Sequence, residues 1–147
     1  MQPIGDLIRT IHNMAGRTFD KKLREHELDF LTSGNGRIIG YLCEKKNEDV
    51  FQKDLEVQFG ITRSTASKVV NLMVEKGYIV RERVPGDARL KKLVLTPKAE
   101  VVAEFLYQNC MSMEETLLSG FSGAERVQFR EYLERAKDNI SKCYREE

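Results

Sequence analysis

Ser64, Ser67, Lys68 and Asn71 recur at i, i+3, i+4 and i+7, with Thr62, Arg63 and Thr65 beside them. A helix over residues 62–76 would carry them on one face. These are side chains that read polyanions. Arg and Lys donate to phosphate oxygens and guanine edges, Asn pairs with adenine, and Ser and Thr donate and accept locally. The start of such a helix adds a positive partial charge of its own. Further along, Asp87 and Arg89 stand two apart beside Pro85-Gly86. They can point to one side and pair, holding Arg89 extended toward a minor groove. Arg81 and Arg83 share a face of the segment leading into that turn, and Lys91 and Lys92 on the segment leading out suit phosphates. Taken singly, each signal is ordinary. A Ser/Thr run opens many helices, Lys68 and Asn71 can be merely solvated, and Gly-Asp turns are frequent.

Weight comes from the elements that must hold these groups. Gln52-Lys53-Asp54-Leu55-Glu56-Val57-Gln58-Phe59 predicts a short amphipathic helix stopped by Gly60. Thr62 can cap the next helix, in which Ala66, Val69, Val70 and Met73 form the buried stripe and Gly77 ends it. Val80–Val84 and Leu90–Leu95 predict two strands joined through Pro85-Gly86-Asp87-Ala88. Helix, tight turn, helix and basic hairpin make a winged helix, whose usual work is holding double-stranded DNA.

Charge is distributed accordingly. Residues 51–98 hold ten Lys or Arg against five acids, whereas the chain as a whole has a net charge of +1. The rest of the chain is therefore acidic, as expected of a body that presents one face to a polyanion. Cys43, Cys110 and Cys143 are far apart, with no CxxC or Cys/His ligand spacing, so neither a disulfide framework nor a zinc site is expected. Each lies on an apolar stripe and is expected to be buried and inert. His12 and His26 have no partner at metal-ligand spacing. Gly34-Asn35-Gly36 reads as a loop, too short to cradle phosphate, and no catalytic motif occurs, so neither an enzyme nor a cofactor is expected. No apolar run reaches a membrane span and no leader pattern opens the chain, which predicts a cytoplasmic protein without membrane contact.

The flanks are helical. Ile4, Leu7, Ile8, Ile11, Met14 and Leu23 mark a first helix, and Thr32 or Ser33 can cap a second carrying Ile38, Ile39 and Leu42. Thr96-Pro97 opens a long helix with Val101, Phe105, Cys110 and Leu117 on its stripe, closed by Gly120. Ser122-Gly123-Ala124-Glu125 has the capping-box form and opens a last helix through Val127, Phe129, Leu133 and Ile140. The expected fold is mainly α with a small β wing (α+β), a winged helix-turn-helix with N- and C-terminal dimerisation helices. The chain reads as a single domain, 1–147. Its DNA-binding lobe covers about 32–96, and the dimerisation helices cover about 3–26 and 97–145. These outer stripes exceed what one small lobe can cover, so a two-fold helical homodimer is expected, with a monomer as the alternative.

Residues 31–96 resemble the MarR (multiple antibiotic resistance regulator) family. The resemblance rests on Gln52-Lys53-Asp54-Leu55, Gly60-Ile61-Thr62-Arg63-Ser64-Thr65-Ala66-Ser67, Gly77-Tyr78-Ile79-Val80-Arg81, and Asp87-x-Arg89 followed by Leu95-Thr96. It implies a homodimer that places recognition helices in the major groove and wings in the minor groove of a pseudopalindromic operator. It also implies a repressor released by a small aromatic or phenolic effector, or one that senses oxidants or metals. The chain departs from the family's pattern at Phe51, where a capping Thr or Ser is frequent, and at Ala99, where Gly is frequent. The DNA-binding candidates are Thr62, Arg63, Ser64, Thr65, Ser67, Lys68, Asn71, Arg81, Arg83, Asp87, Arg89 and Lys91. The competing reading is a winged-helix module that binds protein without specific DNA readout. Loss of function on neutralising Arg63 and Arg89 separates the two.

Overall fold

The computed structural model describes residues 1–28 and 31–145. In chain order these form α1 (Ile4–Glu25), α2 (Ser33–Glu44), α3 (Gln52–Phe59), α4 (Arg63–Glu75), β1 (Ile79–Val84), β2 (Asp87–Leu95), α5 (Pro97–Leu117) and α6 (Gly123–Arg145). The chain divides into two compact units, Met1–Met111 and Ser112–Glu147.

In the first unit, one core gathers Phe19 and Leu23 from the end of α1, Ile39 from α2, Leu55 from α3, Val70 and Met73 from α4, Ile79 from β1 and Leu106 from α5. The α4 stripe read from the sequence points into it, with Ala66, Val70 and Met73 all 0% exposed. Val69, the stripe's remaining member, is half-buried and packs against that core.

Gly34-Asn35-Gly36 is not the loop that its composition predicts. It lies in the first turn of α2, where the Thr32 hydroxyl accepts the Asn35 N–H at 3.2 Å and starts the helix. Gly36 is there for clearance, since a Cβ would come within 3.0 Å of the Phe19 ring and 3.3 Å of Leu106.

The Phe51 departure is resolved from inside α3. The Asp54 carboxylate accepts the Phe51 N–H at 2.7 Å, so half a capping box forms without a capping hydroxyl. Gly60 then leaves α3 at φ 59°, a left-handed turn that suits glycine.

The hairpin is tighter than expected. β2 begins at Asp87, so only Pro85-Gly86 separates the strands, and Gly86 has φ 89°. The ladder is antiparallel, pairs Arg81 with Leu93 and Arg83 with Lys91, and slips at Arg83/Val84. A third segment supports it, because the Val50 carbonyl accepts the Leu93 N–H at 2.7 Å. At the start of α5, the Thr96 hydroxyl accepts the Ala99 N–H at 3.2 Å, and Ala99 is fully buried.

In the second unit, the Glu125 carboxylate accepts the Ser122 N–H at 2.7 Å and the Ser122 hydroxyl accepts the Glu125 N–H at 3.3 Å, completing the expected capping box. Arg126 holds both oxygens of Glu115 at 2.9 and 3.0 Å, and Phe121 stacks against Phe129 with centroids 5.6 Å apart. Among its described side chains α6 buries none, and Val127, Leu133 and Ile140 are exposed.

Candidate nucleic-acid interface

Thr62 caps α4, its hydroxyl accepting the Thr65 N–H at 3.1 Å. It also donates to the Thr65 hydroxyl at 3.0 Å, so both hydroxyls are held at the helix start. Because Ala66, Val70 and Met73 fix the inner face, the opposite face must point outward. Ser64, Lys68 and Asn71 are exposed there, Ser67 is half-buried, and Arg63 is exposed beside them at the helix start.

The hairpin sorts its charges by face. Strand alternation puts Arg81, Arg83 and Lys91 on one side and Glu82 and Lys92 on the other. Arg83 sits directly across from Lys91, a like-charge pair that costs stability in an isolated sheet. A polyanion would relieve that repulsion. Lys92 is not a free phosphate ligand as its strand position suggests. It pairs with Asp49 at 3.1 Å and with Glu82 at 3.9 Å, tying the wing to the loop before α3.

At the tip, Asp87 does not pair with the Arg89 guanidinium. Its carboxylate accepts the Arg89 backbone N–H at 2.9 Å. The reason is local, because a short Asp side chain beside a tight turn reaches the amide two residues on most easily. Asp87 thus shapes the loop, while the exposed Arg89 side chain keeps its donors.

Two links escape the sequence pattern. The Arg81 guanidinium donates from Nη2 to Asn71 Oδ1 at 2.7 Å, joining wing to helix. The far end of α4 is bound to the start of α5: Thr96 donates to the Gly77 carbonyl at 2.5 Å, and Lys98 donates to the Lys76 carbonyl at 2.8 Å. Lys98 also lies 4.7 Å from the Tyr78 ring centroid. No local periodicity encodes such contacts; the only signals are a donor type and a free carbonyl at a helix end.

The cysteines are not uniformly buried. Cys43 and Cys110 are half-buried, but Cys143 is exposed, because α6 buries none of its described side chains. Burial pushes the Cys110 thiol up, with the Arg37 charge pulling the other way, so it stays protonated near neutrality. Among the described residues no three His, Cys, Asp or Glu gather as a metal site, and no helix is long and apolar enough to cross a membrane. A cavity of about 630 Å³ lies between the end of α2, the hairpin and the start of α5, lined by Leu42, Val50 and Leu93 and by five carboxylates against three lysines.

A capped helix whose inner face is locked and outer face polar, followed by a hairpin with Arg81, Arg83 and Lys91 on one side, defines a winged helix-turn-helix of the DNA-binding class. Residues 31–90 match the MarR family. The transcription regulator MarR of Oenococcus oeni PSU-1 is 30% identical with a TM-score of 0.83, over 92% of this chain and 99% of that one. The S. aureus MepR–DNA complex is 25% identical with a TM-score of 0.79, over 91% and 94% of the two chains. The HTH-type transcriptional regulator YybA of Bacillus subtilis is 24% identical over 139 residues, 95% of this chain and 91% of its own. The chain belongs to the MarR family. It is a transcriptional regulator and not an enzyme.

Proposed function

We propose that the chain is a homodimeric, effector-responsive repressor. Each copy places α4 in a major groove and the wing in the neighbouring minor groove of a pseudopalindromic duplex. In this reading residues 32–96 form the reading lobe, and α1 with the helices after residue 97 form the dimer interface. The observation that carries it is the open face of α4, with Ser64, Ser67, Lys68 and Asn71 and with Arg63 beside them, joined through Asn71 to a hairpin that carries Arg81, Arg83 and Lys91 on one side. Thr62 and Thr65 at the helix start and Arg89 at the tip complete the set, and Asp87 acts by shaping the tip. The DNA complex of the S. aureus relative supports the partner. Open apolar faces on α1 and α6 support the second copy, since Ile4, Leu7, Ile8 and Val127 are all exposed.

The volume of the cavity beside α5 falls in the range of small-molecule sites, and a small effector there is part of this reading, although the acids of its lining outnumber Lys45, Lys46 and Lys92 and do not select an anion. A ligand that binds better to a dimer of altered spacing draws the population away from the DNA-binding form. Footprinting the purified protein upstream of its own gene, with and without aromatic acids, tests the whole reading. A protected two-fold site that binds less tightly as salt rises is expected. Affinity for duplex no greater than that of a neutral control protein would refute it.

A further inference from the structure

Asn71 stands on the open face of α4 and Arg81 at the base of the wing, ten residues apart. Their 2.7 Å bond joins the two parts of the reading surface through side chains alone. A guanidinium only donates, so it determines which end of the Asn71 amide faces it. The oxygen turns toward Arg81, and the Nδ2 donors, which take no partner among the described residues, are left for something else. A free asparagine flips between two nearly isosteric orientations; this one is held in a single orientation by a charge-assisted bond. Arg81 is meanwhile turned back on the protein, unlike Arg83, which stands across from Lys91 and is paired with no acid among the described residues.

We infer that Arg81 is a positioning residue and not a phosphate contact: it orients the Asn71 amide so that its Nδ2 donors read the N7 acceptor of a purine in the major groove. This rests on the DNA-reading assignment above. The bond lies at the surface in the free protein, and excluding water on docking would strengthen it.

The test is selection from a duplex library with a randomised centre, read by sequencing, for the wild type, Arg81→Ala, Asn71→Ala and the double variant. Both altered side chains are exposed, and a melting curve for each variant is recorded to check that it is folded. We expect both single variants to flatten the preference at the same symmetry-related base pairs, by about tenfold, with the double variant no worse than Asn71→Ala. The salt slope measured on the selected duplex should stay nearly unchanged for Arg81→Ala. If Arg81→Ala instead weakened all sequences alike and lowered the slope by about 0.9 for each phosphate that it ceased to neutralise, Arg81 would be a phosphate ligand and the inference overturned. If the wild type selected no motif, the DNA-reading assignment would fall, and this inference with it.

Discussion

Single side chains divide here between those that touch the partner and those that hold others in place. In the proposed reading Arg89 belongs to the first group. Arg89→Ala should weaken operator binding by about 1–3 kcal/mol while circular dichroism stays that of the wild type, and unchanged affinity would remove the wing from the interface. Thr62 belongs to the second. Thr62→Ala deprives the Thr65 N–H of its acceptor and should cost about 0.5–2 kcal/mol in urea unfolding. Capping residues were legible because a hydroxyl three residues from an N–H is a local pattern. The Arg81–Asn71 bond was not, since it depends on how the hairpin lies against α4. Asp87 falls between: the D-x-R spacing pointed to the turn, but the partner of the carboxylate is a backbone amide that side-chain types do not reveal.

The elements followed their periodicity, and their ends followed their caps. Met73 is 0% exposed within the shared core, so Met73→Ala should destabilise the fold by about 2–5 kcal/mol, read as a lower urea midpoint at constant slope. Two expectations about element boundaries failed for physical reasons. Glycine content argued for a loop at 34–36, yet Gly36 serves a close approach to Phe19 and Leu106 inside a helix. Proximity to a turn argued for a longer loop at Ala88, yet the strand bulge lets Asp87 pair. At the start of α6, the Ser122 N–H and hydroxyl hold the Glu125 carboxyl below the usual carboxylate range. A depressed folded value means that this contribution is present above the unfolded value and lost as pH falls through the folded one. A carboxyl-detected NMR titration should place the Glu125 midpoint below that of free glutamate; an ordinary midpoint would mean that the cap is not formed in solution.

The two units share a feature that no single element explains, which is how much apolar surface stays open. Ile4, Leu7 and Ile8 on α1 and Val127, Leu133 and Ile140 on α6 are exposed, although the sequence places them on stripes. The stripes were legible; what covers them was not, because periodicity shows that a face is apolar without naming its partner. If a second copy covers α1, Ile8→Glu should shift sedimentation toward the monomer and lose operator affinity together. Retained dimer mass would place the interface elsewhere.

Thr96 and Lys98 fasten the closing turn of α4 to the opening of α5 through the Gly77 and Lys76 carbonyls. Two bonds thus tether α4 directly to α5. In the proposed reading, a compound that displaces α5 would slide the entire row of α4 contacts off its register instead of blunting them singly, and amides along α4 should stay protected from hydrogen exchange while it does so.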